Sequence, residues 1–200
     1  MIRAILLSLV LALSTALPGA AQTISLDALS RYLNSFQTAD GKFTQINSDG
    51  TISTGQVFIK RPGRVRFEYD PPNKTLVIAG GGTVAIFDGK SQTMPEQFPL
   101  SQTPLNLILQ QNVNFSRAKM VVGHSSDGNS TTVVAQDPDH PEYGNIRLVF
   151  TDDPVELRQW IITDSAGERT TVILGTLEKG SALGDGMFSI QHESNRRKGR

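Results

Sequence analysis

Residues 55–69 of the 200-residue chain read Gly-Gln-Val-Phe-Ile-Lys-Arg-Pro-Gly-Arg-Val-Arg-Phe-Glu-Tyr. The second half of this stretch alternates strictly. Val65, Phe67 and Tyr69 point to one face of a strand, and the charged residues between them point to the other. A strand over residues 64–69 with one dry and one wet face is typical of an antiparallel sheet. A second strand, over residues 55–60, is predicted directly before it.

Turn residues divide much of the remaining chain into segments of roughly ten residues, the spacing of an antiparallel meander. Gly80–Gly82, Asp88–Gly89, Asp127–Gly128 and Ala166–Gly167 supply the positive φ angles that tight hairpins need. We predict further strands over residues 41–47, 75–79, 83–87, 118–123, 130–136, 145–151, 157–163, 168–176 and 187–190. About eleven short strands in one domain predict a mainly β protein, a barrel or a sandwich.

Two short helices are predicted to interrupt the sheet. Ser25 can cap the first helix, whose apolar residues recur at three- and four-residue steps. These residues are Leu26, Leu29, Leu33 and Phe36. The second helix is predicted over residues 103–112, with Thr103 as its cap and with an apolar face made by Leu105, Ile108 and Leu109. Residues 94–100, which precede it, are predicted to form a proline-broken connection.

The N-terminus has the pattern of a secretory signal peptide. A short cationic start is followed by the apolar run 4–16 and by the small pair Ala20 and Ala21. We therefore expect cleavage after Ala21, a signal peptide over residues 1–21, and a single domain over residues 22–200 with a short basic C-terminal tail. An uncleaved anchor is the alternative. Export without any cysteine favours the bacterial periplasm.

Composition excludes several classes of protein. Lys plus Arg equals Asp plus Glu at 19 each, which argues against a basic nucleic-acid binder and a disordered polyelectrolyte. The absence of cysteine excludes disulfides, thiolate zinc sites, cysteine nucleophiles and a cysteine-linked lipid anchor. The three histidines, His124, His140 and His192, assemble no recognisable catalytic group. We expect no catalytic residue, no metal site and no cofactor.

Arg61 is the residue whose position suggests a specific role. It precedes Pro62 and should therefore extend the strand alternation of Val57 and Ile59. If that face is the dry one, a guanidinium with five donors lies at the rim of an apolar space. It could then bind the backbone carbonyls of whatever covers that space. A solvated arginine at a strand end is the alternative.

Residues 55–69, together with Pro71, Leu76–Ala79 and Ile86–Asp88, resemble the outer-membrane lipoprotein carrier (LolA) family. Residues 98–105, the first helix and the Phe43-Thr44-Gln45 strand are also similar to members of that family. The resemblance implies an unclosed antiparallel β-barrel with a lid of short α-helices over its concave apolar face. It also implies a carrier of lipid-modified proteins from an inner-membrane ABC-type transporter to an outer-membrane receptor.

The same resemblance implies roles for individual residues. Arg61 matches the arginine that holds the lid closed through hydrogen bonds to lid carbonyls. The residues expected to line the acyl-chain cavity are Val57, Ile59, Val65, Phe67, Tyr69, Ile78 and Ile86. The residues expected on the lid helices are Leu26, Leu29, Leu33, Phe36, Leu105, Ile108 and Leu109. Phe67 and Ala85 stand where many members have tryptophan, which leaves the choice of ligand open.

The expected function is that of a periplasmic, non-enzymatic carrier that binds lipoprotein acyl chains. Its expected partners are lipoproteins, an inner-membrane ABC-type lipoprotein-releasing complex and an outer-membrane lipoprotein receptor, with no nucleic acid and with a monomeric state. A periplasmic sensor, or a carrier of another amphiphilic lipid on the same fold, is the alternative. The receptor resembles this fold but is lipid-anchored, and the lack of cysteine rejects that identity.

Overall fold

Twelve β-strands form the framework of the chain in the computed structural model, which covers residues 23–89, 94–117 and 119–198. The expected signal peptide, with its cleavage point after Ala21, lies outside these residues. The strands are β1 (Thr38–Ile46), β2 (Ile52–Lys60), β3 (Arg64–Tyr69), β4 (Leu76–Gly80), β5 (Thr83–Phe87), β6 (Glu96–Pro99), β7 (Val121–Ser126), β8 (Thr131–Gln136), β9 (Asn145–Asp152), β10 (Val155–Thr163), β11 (Arg169–Leu174) and β12 (Glu178–Lys179). The helices are α1 (Leu26–Asn34) and α2 (Ile190–Lys198).

All strands belong to one antiparallel sheet, in the order β6-β5-β4-β3-β2-β1-β11-β10-β9-β8-β7, with β12 also pairing with β1. The two outermost strands, β6 and β7, lie at opposite ends of this order and do not pair with each other within the described residues. The sheet is therefore open. The predicted fold class, a mainly β protein with an unclosed antiparallel sheet and a few short helices, is confirmed.

The two faces of the sheet carry different apolar clusters. In the register of β2 and β3, Val57 lies opposite Phe67 and Ile59 lies opposite Val65, and all four are buried in the main core. We call this side the inner face. A smaller cluster of Leu76, Ile78, Ala85 and Phe87 lies on the other side, the outer face, where Ile190 of α2 packs against it.

Helix α1 forms where the apolar spacing predicted it. The Ser25 side chain accepts a hydrogen bond from the backbone N–H of Ala28 at 3.2 Å and so caps the first turn. Leu29 and Leu33, one turn apart, are buried on the side that faces the sheet. Burial of this stripe, more than helix propensity, stabilises a helix of nine residues.

The predicted second helix over residues 103–112 is not formed. Two 3₁₀ turns, Leu100–Gln102 and Pro104–Leu107, take its place. Leu105, Leu107, Ile108 and Leu109 are all buried, so this segment is enclosed on several sides and lacks the single apolar face expected of it.

The predicted strand over residues 187–190 is also wrong. Residues Asp185–Phe188 form a 3₁₀ turn, and α2 begins at Ile190. The side chain of Ser189 accepts from the backbone N–H of His192 at 3.1 Å, which starts a helix where the alternation predicted a strand. The basic residues 196–198 are therefore part of α2. Arg196 and Arg197 form ion pairs with buried Glu193 within this helix.

Other differences concern the ends of strands and two additional strands, β6 and β12. The strand predicted over residues 118–123 is observed as β7, which begins only at Val121. Residues Glu96–Pro99, predicted as part of an irregular connection, form β6. Proline is compatible with an edge strand, because an edge residue need not donate a hydrogen bond to a neighbour.

Candidate functional site

Two segments cover the inner face of the sheet: residues 26–36, which are α1 with the two residues after it, and residues 100–115. We call them together the lid. Lid side chains pack into the same apolar cluster as the inner face. They include all the residues expected on lid helices, namely Leu26, Leu29, Leu33, Phe36, Leu105, Ile108 and Leu109. Phe36 follows the end of α1, and Ile108 and Leu109 follow the second 3₁₀ turn, so these three residues belong to the lid without being helical.

Arg61 joins the lid to the sheet. It follows Val57 and Ile59 in the buried alternation of β2, and only 4% of its surface is exposed. Its Nη2 donates hydrogen bonds to the carbonyl oxygens of Leu33 and, at 2.7 Å, Phe36. Nη1 lies 3.4 Å from the carbonyl oxygen of Gln110. One guanidinium thus contacts the backbone of both lid segments.

The positive charge of Arg61 is surrounded by neutral backbone carbonyl groups and by one aromatic ring. Its guanidinium carbon lies 5.6 Å from the centre of the Phe36 ring, within the range of a cation–π contact. Burial lowers the pKa of Arg61, but an arginine remains protonated at neutral pH. A buried cation needs acceptors, and here the lid carbonyls supply them. Moving the lid away breaks these contacts and exposes the guanidinium to water.

Asn34, the last residue of α1, links the two lid segments to each other. Its Nδ2 donates to the carbonyl oxygen of Val113 at 2.7 Å, and its Oδ1 accepts from the backbone N–H of Val113 at 3.0 Å. The same Oδ1 lies 3.4 Å from Nη1 of Arg61. The turn after Arg61 adds another contact, because the N–H of Gly63 donates to the carbonyl oxygen of Leu109 at 2.8 Å.

We expect Asn34→Ala to loosen residues 110–115 without unfolding the sheet. The substitution leaves the partly buried backbone groups of Val113 without partners, which costs about 1–3 kcal/mol of local stability. Amide hydrogen exchange of Val113 should therefore become about tenfold faster or more, while exchange in β9 and β10 stays unchanged. Gln102→Ala, at an exposed lid position, is the matched control. Equal exchange rates in Asn34→Ala and the wild type would contradict this role of Asn34.

A small cavity lies between the lid and the inner face, with a volume of about 20 Å³. Its lining residues are Leu33, Phe36, Ile59, Arg61, Ile108, Leu109, Leu157, Trp160 and Leu177. This volume holds about one water molecule, so a long apolar ligand does not fit while the lid is closed. The structure is thus a closed state, in which the lid residues themselves cover the apolar face.

Four aromatic side chains form a continuous row on the inner face. Phe43 makes edge-to-face contacts with Phe67 at 5.3 Å and with Tyr69 at 5.1 Å, and Phe67 contacts Trp160 at 6.2 Å. Gly55 lies opposite both Phe43 and Tyr69 in the sheet register. A Cβ at position 55 would approach the Phe43 ring to 2.8 Å and the carbonyl oxygen of Glu68 to 2.0 Å. Only glycine fits at this position.

The phenol group of Tyr69, at the end of this row, has a raised pKa whose effect on stability can be measured. Its hydroxyl donates to Oε1 of Gln45 at 2.6 Å, and burial raises its pKa from the usual 10.0 to about 12. The unfolded chain loses the phenol proton first, so the free energy of unfolding should decline from about pH 10 and level off near pH 12. The expected decline is about 2–3 kcal/mol.

Denaturant titrations at about pH 9 and about pH 11.5 should therefore separate the wild type from Tyr69→Phe. The variant lacks the phenol and should show a smaller loss of stability between the two pH values. Tyr32, whose pKa burial also raises, is present in both proteins and cancels in the comparison. The same pH dependence in both proteins would show that Tyr69 titrates normally in the folded chain.

The structure places most of the expected cavity residues on the inner face. Val57, Ile59, Val65 and Phe67 are buried in the main cluster, and Tyr69 packs against it. Ile86 lies opposite Val77, which packs against the same cluster, so its side chain is directed to the inner face. Of these residues, Ile59 borders the small cavity of the closed state.

Ile78 is the exception. It was expected in the cavity, but it belongs to the outer-face cluster beneath α2. Strand β4 is buried on both sides, so its apolar run does not indicate which side chains face inward. The strand register shows which face Ile78 occupies: Ile78 pairs with Ala85 and Arg66, whereas its neighbour Val77 pairs with Phe67 of the inner face.

Sequence reasoning missed three lining residues, Leu157, Trp160 and Leu177. Leu157 and Trp160 are three positions apart, a spacing that strict strand alternation would place on opposite faces. A register shift between Leu157 and Gln159 in the pairing of β10 with β9 inserts one extra residue, so both side chains face inward. The signal that could have indicated this is the burial expected of the single tryptophan of the chain.

The histidines lie elsewhere on the fold. His124 on β7 has Nε2 2.9 Å from the carbonyl oxygen of Ile24, and exposed His140 stacks on Tyr143 with ring centres 4.7 Å apart. Among the described residues, no group of three or more histidines and carboxylates has the arrangement of a metal site. In the same part of the chain, no helix combines the length and hydropathy needed to cross a bilayer.

The model of one known protein family matches most of this chain. Residues 34–191 match the family model described as "Outer membrane lipoprotein carrier protein LolA". The chain belongs to the LolA family. The matched region contains Arg61, the inner face and residues 100–115 of the lid. The resemblance carried by residues 55–69 is thereby confirmed.

The alignments of this LolA-family chain with its relatives cover most of both sequences. An outer-membrane lipoprotein carrier protein of Pseudomonas paraeruginosa is 28% identical over 189 residues, which cover 90% of this chain and 89% of the relative. One of Coxiella burnetii is 28% identical over 181 residues, covering 86% and 84%. A solved domain of a putative outer membrane lipoprotein-sorting protein from Vibrio parahaemolyticus has a TM-score of 0.50 at 8% identity, covering 86% of this chain and 97% of that domain. This structural likeness supports the shared fold.

Proposed function

We propose that this chain is a periplasmic carrier that binds lipoprotein acyl chains between the inner face and the lid, without catalysing a reaction. Family membership and relatives named as outer-membrane lipoprotein carriers support this function. The observation that carries it is the position of Arg61. A buried cation bound to lid carbonyls holds a removable cover over an apolar, aromatic-lined face.

The energetics of such a carrier require a lid. Burying methylenes contributes about 0.8 kcal/mol each, so one long acyl chain offers roughly 10 kcal/mol before the costs of binding. A lid that closes over the empty face subtracts its closing energy from this affinity. Arg61, Asn34 and the apolar lid side chains supply that closing energy. The complex is then tight enough for transport and weak enough for release.

The proposed route is the one that the resemblance to the LolA family implies. The mature carrier, residues 22–200 after removal of the signal peptide, receives its cargo from an inner-membrane ABC-type lipoprotein-releasing complex. It delivers the cargo to an outer-membrane lipoprotein receptor. In this scheme the carrier acts as a monomer, because its own lid covers the apolar face between the two steps.

Binding of a lipoprotein with and without its acyl chains tests the proposed function. The purified carrier should bind the acylated form at least a hundredfold more tightly than the same protein without its chains, because the inner face is almost entirely apolar. Equal binding of both forms would show that the protein part is recognised, and the acyl-chain function would be wrong. Mass spectrometry of carrier isolated from the periplasm should also find co-purified lipoprotein.

A further inference from the structure

Among the described residues, two buried side-chain nitrogen atoms have no hydrogen-bond partner: Nε1 of Trp160 and Nε of Arg61. Both residues are almost fully buried, with exposures of 1% and 4%. A buried donor without an acceptor costs about 1–3 kcal/mol, so folded proteins rarely retain one without a reason. Two such donors therefore need an explanation.

Trp160 and Arg61 both line the small cavity between the lid and the inner face. The seven other lining residues are aliphatic or phenyl side chains, which offer neither donors nor acceptors. The two residues that carry the unpartnered buried nitrogen atoms of the described chain thus both border the place where the proposed ligand would bind. An apolar pocket with a few convergent polar groups is the usual form of a site that orients its ligand.

We propose that the indole N–H of Trp160 donates a hydrogen bond to the carbonyl oxygen of a bound acyl chain. This inference rests on the proposed function and adds a specificity-determining residue to it. Every acyl group carries a carbonyl oxygen where the hydrocarbon joins its ester or amide linkage. Trp160 therefore selects acyl chains over alkyl chains of the same length, which the apolar wall alone cannot do.

The other side chains near Trp160 do not compete with its indole N–H for this role. Phe67 contacts it edge-to-face and supplies no acceptor oxygen. Arg61 also has an unpartnered nitrogen, Nε, but its Nη atoms are engaged with lid oxygens in the closed state, so the indole is the donor that does not also hold the lid. A site that presents a buried donor favours a ligand with an acceptor, because a ligand without one leaves the donor unsatisfied.

The test compares two glycerides that differ in one group. Monopalmitoyl glycerol carries an ester carbonyl, and its hexadecyl ether analogue has a methylene in that position. Displacement of a fluorescent alkyl probe from the wild-type carrier should show about three- to tenfold tighter binding of the ester, the range of one neutral hydrogen bond. Trp160→Phe keeps an aromatic ring without the donor and should reduce this ratio to less than about twofold.

Two controls separate selectivity from general damage. Phe67→Leu alters the same wall without removing a donor, so it should weaken binding of both glycerides and leave their ratio unchanged. In the wild type, the single tryptophan gives one indole N–H signal in a proton–nitrogen NMR spectrum. That signal should move downfield with the ester and move less with the ether. This readout needs no variant and does not depend on the folding of Trp160→Phe.

The possible failures are distinguishable. Equal affinities of the wild type for ester and ether, or the same ratio in Trp160→Phe as in the wild type, would overturn the role of Trp160 and leave the carrier function intact. Binding of neither glyceride would overturn both the carrier function and this inference.

Discussion

Replacing Arg61 with leucine should leave cargo uptake intact and reduce transfer to the receptor tenfold or more. The substitution removes the donors that bind the carbonyl oxygens of Leu33, Phe36 and Gln110. Each hydrogen bond from a charged donor contributes about 1.5–3 kcal/mol before compensation. The closed empty state loses this support, while the loaded state gains apolar surface. The exchange equilibrium therefore shifts toward retained cargo.

Loading from inner membranes and transfer to the receptor should be measured separately with purified components. Arg64→Leu is the matched control, because Arg64 follows Arg61 closely in sequence but pairs with exposed Asp185 at 2.6 Å. Arg61→Lys keeps the charge but cannot contact several lid carbonyls in a fixed geometry, so it should fall between Arg61→Leu and the wild type. Transfer by Arg61→Leu at the wild-type rate would return Arg61 to a purely structural role.

Placing a charge in the lid should have the largest effect on stability. Leu29 on α1 is fully buried against the inner face, with an exposure of 0%. Leu29→Glu places a carboxylate among apolar side chains. If the lid stays closed, we expect the free energy of unfolding to fall by at least about 3 kcal/mol. The variant can avoid this cost only by opening the lid. Thermal unfolding and exposure of apolar surface to a fluorescent dye distinguish the two responses.

The same helix supplies the control for this substitution. Arg31 is exposed on α1, and Arg31→Glu should change the free energy of unfolding by less than about 1 kcal/mol. Ile108→Glu, with a native exposure of 6%, tests the other lid segment in the same way. If both buried variants retained wild-type stability and a closed lid, the lid would not pack on the inner face in solution.

Period-two alternation in residues 64–69 was sufficient to predict β3 and its buried face. It also placed Arg61 in line with Val57 and Ile59, because a residue before proline stays extended. The buried side of α1 could be predicted for a similar reason, since a helical stripe such as Leu29 and Leu33 must be buried against another element. These features depend on local patterns that the sequence carries directly.

The missed features depend on tertiary contacts. Ile78 lies in an apolar run that is buried on both sides, and only its pairing with Ala85 shows that it faces α2. Trp160 faces the cavity because of a bulge in β10 that no local pattern indicates. Helix α2 is stabilised by packing of Ile190 and by buried Glu193, whose carboxylate accepts from Arg196 and Arg197 at 2.6 and 2.8 Å. The sequence of α2 is basic and has few apolar residues, so it does not indicate either contact.

The central claim is that an acyl ligand displaces the lid from the inner face. The chain has no native cysteine, so Arg31→Cys on the lid and Gln56→Cys on β2 provide two exposed sites for spin labels. The distance between these labels should be measured by pulsed electron resonance with and without a triacylated lipopeptide. We expect one narrow distribution for the empty carrier and a longer distance once the lipopeptide is bound. An unchanged distribution at saturating lipopeptide would contradict displacement of the lid.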